Sequence, residues 1–315
     1  MFEQKIQFAW DDYSKDFGLG RIILFTCALN TFLFFLSAIN YGEISFIPLI
    51  PIFVAMLFYY FRDQIVRKSP TSIFVLNALI MTIVIVVNYT FCGMVDEMAQ
   101  GLRRYDSLFA QIDEALYGAP IAIVIERFMA GHGVFSTIFY DYIQSCYITY
   151  FLFPFFGGIA YWIQLEDDRR PKIGRYLSSI LIFFNINFLL YILVPVSGPQ
   201  FFQKEFFTTA LPFSFVGEFF NNLIRSGQPT FIDCFPSGHT GIALLVTGWM
   251  FRVKNHYRYL FLAVGLGMII ATVSLRYHYT LDLLAAVPLS ILSYKLGRKL
   301  LPQPVVVRHK RKWRY

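Results

Sequence analysis

Charge is what this sequence lacks most: only 15% of its 315 residues are Asp, Glu, Lys or Arg, while 57% are hydrophobic and 19% aromatic. A soluble globule carries about a quarter charged residues. With 36 Phe and 20 Tyr, the side chains that remain cannot all be solvated on an ordinary surface. Cysteine is also sparse. Cys27, Cys92, Cys146 and Cys234 include no CxxC pair, which excludes a zinc ribbon and a disulfide framework; one Cys92–Cys234 bridge stays open, since both fall near one face of the membrane. The first twenty residues hold charges and no apolar stretch with a small-residue cleavage site, so a removed signal peptide is not expected. No period of 20–50 residues and no low-complexity stretch supports a solenoid or a linker.

What is present is a series of apolar runs. A span needs about 20 apolar residues, and the runs predict eight helices near 21–40, 44–61, 72–92, 137–163, 175–195, 238–252, 258–276 and 279–297. The expected fold is therefore all-α, a polytopic membrane helix bundle. Of 27 Lys and Arg, 21 lie on one set of connecting segments and 6, namely Arg103, Arg104, Arg127, Lys204, Arg225 and Arg276, on the other. That bias predicts cytoplasmic termini, with 93–136 and 196–237 on the far side. The basic tail reads as an anchor at anionic lipid and not as a nucleic-acid site. Within 93–136, Met98, Leu102, Tyr105, Leu108, Phe109, Ile112 and Leu116 recur at helical spacing, as in a helix lying on the bilayer or one packing on the bundle.

Reactive side chains gather in FIDCFPSGHTGIALL at 231–245 and TVSLRYHYTLDLLAA at 272–286. Pro236 and Ser237 mark a helix start, whose free N–H groups at Ser237 and Gly238 suit a phosphate. Before Arg252 this helix has about 14 residues, roughly 21 Å against a hydrocarbon core of about 30 Å, so His239 is expected to lie recessed. His278 and Asp282 are four apart, and on a helix the carboxylate would hold one imidazole nitrogen while the other attacks. His239 would then supply the leaving group's proton, and Arg276 would neutralise phosphoryl oxygens. No metal or cofactor is called for: His239, His278 and Asp282 lack the double-histidine i, i+4 spacing of zinc helices. His132, His256 and His309 read as surface residues. Asn88, Asn185 and Asn187 inside spans fit helix–helix hydrogen bonds, or the lining of a path in a transporter or scaffold.

PSGHT at 236–240 followed by RYHYTLD at 276–282 resembles the type 2 phosphatidic acid phosphatase superfamily, and HYTLD is similar to its sphingolipid synthase branch, which includes inositol phosphorylceramide synthases. The resemblance implies a six-helix phosphatase-like core at 72–297, preceded by two extra spans in 1–71 and followed by a basic cytoplasmic tail, 298–315. It implies His278 as nucleophile, Asp282 as its orienting group and His239 as acid, and Asp233 also matches an aspartate of the branch. Two cations of the phosphatases are missing: Thr272 stands where they place an arginine, and SGPQ at 197–200, with Lys204 beyond, is the nearest equivalent of their first motif. The expected activity is therefore transfer of a phosphoryl head group from a phospholipid donor to a lipid alcohol on the extracytoplasmic or lumenal face, the alternative being a lipid phosphate or pyrophosphate hydrolase.

Overall fold

The computed structural model describes residues 104–165, 173–227 and 232–300, most of 78–93 and a few isolated earlier positions. The expected spans at 21–40 and 44–61 and the tail beyond 300 thus fall almost wholly outside the described residues. The described architecture is helical: α1 Met81–Gly93, α2 Asp106–Tyr117, α3 Ile121–Met129, α4 Val134–Ile148, α5 Phe153–Gln164, α6 Ile173–Leu193, α7 Phe215–Gly227, α8 Gly238–Arg252, α9 Arg258–Ser274 and α10 Thr280–Leu300. The sole extended pairing among the described residues is an isolated parallel bridge between Val196 and Asp233. The protein is an all-α membrane helix bundle.

The centre of the bundle is α8, which packs against α5, α6, α9 and α10. Its Ile242, Ala243, Leu245, Val246, Trp249 and Met250 join Tyr176, Ile180, Phe183 and Phe184 of α6 in the main apolar cluster. One amide inside α6 is paired across helices, as in-membrane amides require: Asn88 Nδ2 donates to Asn185 Oδ1 at 3.2 Å. Asn187 departs from the expected helix–helix bond and donates to the Pro236 carbonyl at 2.9 Å. Cys92, Cys146 and Cys234 are free thiols, so the conceivable Cys92–Cys234 bridge is absent.

Two expectations change. The run 137–163 is not one helix but α4 and α5, bent by 72° through a 3-10 turn at Thr149–Phe151. Pro154 at the start of α5 has no N–H to give the helix before it and its ring crowds the preceding turn, so the chain restarts there. The segment 93–136, expected to hold one amphipathic helix on the bilayer or on the bundle, carries α2 and α3 bent by 45°, with the break made by Gly118 in the left-handed region, φ 72°, and by Pro120. Among the described residues, α6 and α10 alone are long and apolar enough to cross a membrane, or up to four spans exist if each bent pair counts as one.

α2 also presents an unexpected face. Leu108 and Leu116 of the apolar stripe are 50% and 58% exposed, while Asp106 and Asp113 are each 1% exposed. Asp106, Phe109, Ala110 and Asp113 share one helical face, and that face meets the bundle.

Candidate active site

The two reactive stretches meet where the N-termini of α8 and α10 converge. Ser237 caps α8, its hydroxyl accepting from Thr240 N at 3.2 Å, and its own N–H donates to the Asp282 carbonyl at 3.1 Å. The expected phosphate ligand Ser237 is therefore a cap and a tie between the helices, and the free first-turn donors begin at Gly238. That glycine is required by close approach: a Cβ would sit 2.8 Å from Tyr150 Oη and 2.9 Å from Tyr191 Oη.

His278 and Asp282 do pair, but not along a helix. α10 begins only at Thr280, and His278 lies in the preceding loop, held by its N–H to the Thr272 carbonyl at 2.9 Å. Asp282, in the first turn, reaches back: Oδ2 accepts from Tyr279 N at 2.8 Å and meets His278 Nδ1 at 3.2 Å. The backbone half of this arrangement is a capping box without its usual glutamate. Asp113 of α2 completes it by accepting from Thr280 N at 3.1 Å, so two carboxylates satisfy orphan donors at an electropositive helix end. His278 is 5% exposed and Asp282 fully buried.

His239 is clamped. Its ring stacks on Tyr147 at 3.8 Å and on Tyr150 at 3.9 Å, and Tyr147 stacks in turn on Tyr277 at 4.6 Å. Four rings form one pile, and the α4–α5 break supplies the turn that carries Tyr150. The His239 and His278 rings are 6.3 Å apart, centre to centre, leaving a gap between the expected acid and the expected nucleophile.

Around them, the SGPQ loop packs tightly. Asp106 accepts from Ser197 N, Ser197 Oγ and Gly198 N at 2.9–3.1 Å and from Tyr279 Oη at 3.2 Å. Four donors on one buried carboxylate satisfy it fully. Gly198, at φ 93°, lies so close to the Tyr277 carbonyl that a Cβ would collide with it. Burial and the Asp106 charge push the Tyr279 phenol well above its ordinary pKa, which keeps it a neutral donor.

The expected cations are placed elsewhere. Arg276 is at φ 70°, a left-handed conformation just past the end of α9. Its guanidinium pairs with Glu126 Oε1 at 2.6 Å, donates to the Thr209 carbonyl at 2.7 Å and lies over the Phe207 ring. Its three partners make it a brace for the outer segments. Lys204 is exposed. Thr272 is buried and spends its hydroxyl on the Ile269 carbonyl at 2.6 Å. Asp233 is half-buried and accepts from Tyr89 Oη of α1 at 2.7 Å.

Cys234, read in the sequence only as one end of a conceivable bridge, belongs to the site. Its thiol donates to Asp282 Oδ2 at 2.8 Å and lies 3.4 Å from His278 Nδ1. Burial first and the Asp282 charge second push its pKa well above the usual thiol value. Sγ, Nδ1 and the carboxylate oxygen lie within 4.8 Å of one another, a donor set that an ion could use, yet each atom is already engaged by the other two. Tyr147, Tyr150, Asp106 and Asp113 were missed as well. The 3/4 spacing of Asp106, Phe109 and Asp113 was the available signal for the two acids; the tyrosines in a Tyr-rich chain gave none.

A PA-phosphatase related-family protein of Dictyostelium discoideum is 25% identical over 179 residues. The match takes in 50% of this chain and 32% of the relative, so the chain spans about a third of that protein. No solved structure matches. The sequence model of the PAP2 superfamily fits residues 108–296, which include most of α2 and both stretches that meet in the site. The chain belongs to the PAP2 superfamily.

Proposed function

We propose that the protein is a membrane lipid phosphotransferase, inositolphosphotransferase-like, that moves a phosphoryl head group through a phosphohistidine on His278. Superfamily membership supports a phosphatase or phosphotransferase. The observation that carries the finer reading is the relation of the two histidines: His278 has Nδ1 tied to buried Asp282, and the clamped ring of His239 faces it across 6.3 Å. Nδ1–H donates to the carboxylate, which leaves Nε2 as the free lone pair. Nε2 attacks phosphorus as the bond to the leaving oxygen breaks, and His239 gives that oxygen a proton. An acceptor alcohol then loses its proton to His239 while its oxygen takes the phosphoryl group from His278. The first-turn amides of α8 at Gly238 and His239 supply the anion-binding end, compensating in part for the missing cations.

A lipid alcohol such as ceramide, diacylglycerol or a lipid-linked sugar is the acceptor in this reading, and water is the competitor it must exclude. The catalytic core is 72–297, with two additional spans in 1–71 and a basic tail, 298–315. The distribution of Lys and Arg supports cytoplasmic termini and a site on the opposite face. Hydrolysis is the second reading, favoured by the name of the Dictyostelium relative. The test supplies purified protein with a head-group-labelled phospholipid, with and without each acceptor. Transfer predicts label on the acceptor; release of free phosphate or head group at the same rate in every case assigns the hydrolase.

A further inference from the structure

We propose that Cys234 is a positioning residue of the nucleophile: its thiol holds the Asp282 carboxylate in the one orientation that serves His278. The inference rests on His278 acting as proposed above. Cys234 belongs to neither helix of the site. It sits in the short segment before Pro236, fastened by its N–H to the Val196 carbonyl at 3.3 Å and by the Val196–Asp233 bridge. Its Sγ has three neighbours, Asp282 Oδ2 at 2.8 Å, the Tyr277 carbonyl at 3.4 Å and His278 Nδ1 at 3.4 Å. Behind it Gly198 packs so closely that an added Cβ would lie 3.3 Å from the sulfur.

The carboxylate needs this support because its hydrogen bonds are lopsided. Oδ2 gathers Tyr279 N–H, the thiol and His278 Nδ1, whereas buried Oδ1 has no partner among the described residues. Two of the three donors come from the loop that carries the nucleophile and move with it. The thiol alone among them comes from a different segment, the one that leads into PSGH and His239. It therefore fixes the orientation of Asp282, and through it the His278 ring, relative to the acid. Loss of the donor leaves a carboxylate free to turn about its remaining bonds, and a displacement of about 1 Å at a reacting group can cost roughly 10²-fold in rate.

The experiment compares Cys234→Ala and Cys234→Ser with wild type and His278→Ala, using a labelled phospholipid donor. Steady-state kinetics and rapid-quench trapping of the phosphoenzyme are both read. Cys234→Ala is expected to lower kcat and the rate of phosphoenzyme formation together by about 10- to 100-fold with KM unchanged, and Cys234→Ser, which keeps a donor, to recover to within a few-fold of wild type. Should the alanine variant not fold, Cys234→Val takes its place, filling the volume without a donor. Unchanged kcat in the donorless variant, a change confined to KM, or serine no better than alanine would each overturn the inference while leaving the phosphotransferase reading intact. Full activity of His278→Ala overturns that reading and this inference with it.

Discussion

His278 and Asp282 are legible as a pair because four residues separate a base from an acid in an otherwise apolar run, yet the contact forms by a route that spacing does not describe. The histidine is in a loop, and the aspartate reaches back over a helix end. Either geometry brings the groups together, which is why the pairing could be inferred while the local structure was not. Cys234, Tyr147 and Tyr150 act through contacts between segments distant in sequence, and no periodicity reports such contacts. At this scale the mechanism makes unequal demands. His278→Ala is expected to bring transfer and hydrolysis below detection, since the proposed mechanism routes the phosphoryl group through this imidazole. His239→Ala and Asp282→Ala remove a proton donor and an orienting carboxylate, and each is expected to lower kcat by about 10²–10⁴-fold. Label-transfer rates on variants with unaltered size-exclusion profiles check this ranking.

Elements, too, were readable in part. The boundaries of α8, α9 and α10 follow Pro236, the basic loop around Lys254 and the break near Arg276, all visible as punctuation. The α4–α5 break was hidden because apolar residues continue on both sides of Pro154, and hydropathy registers composition but not direction. For α2 the apolar stripe left open a helix on the bilayer or one on the bundle, and it gave no sign that Asp106 and Asp113 serve backbone donors inside the protein. Each is thus expected to matter more than its place on an outer helix suggests. Asp106→Ala strands buried donors at Ser197, Gly198 and Tyr279, each worth roughly 1–3 kcal/mol when left without a partner. Asp113→Ala strands the Thr280 amide alone, at the helix end that carries Asp282. Thermal midpoints should fall in the order Asp106→Ala, Asp113→Ala, wild type, lowest first. Equal midpoints for all three would show that α2 contributes little to holding these loops.

For the molecule as a whole, composition was enough to predict a membrane bundle, because a chain with 15% charged residues has no other way to hide its Phe and Tyr. The count of eight spans was not so secure. α8 and α9, of 15 and 17 residues, are shorter than a straight crossing of about 20 residues demands, and length on a sequence does not show how far a helix end lies below the surface. Orientation can be settled by labelling intact cells with a membrane-impermeant thiol reagent. Single cysteines engineered at 200–230 and 100–130 are expected to react, and those in the 164–174 loop and the tail to be protected; the reverse pattern would put the site on the cytoplasmic face. The ring pile around His239 carries a consequence for spectroscopy. An imidazole held face to face between two phenols at 3.8 and 3.9 Å lies in the shielding cones of both ring currents, so its carbon-bound protons are expected far upfield of those of exposed His256 and of His132, whose aromatic neighbours are 5.3 and 6.2 Å away and tilted. Among the described histidines, the proposed acid is thus expected to carry its own spectral address. Its protonation can be followed in detergent micelles by proton–carbon correlation on histidine-labelled protein, without mutation and without turnover.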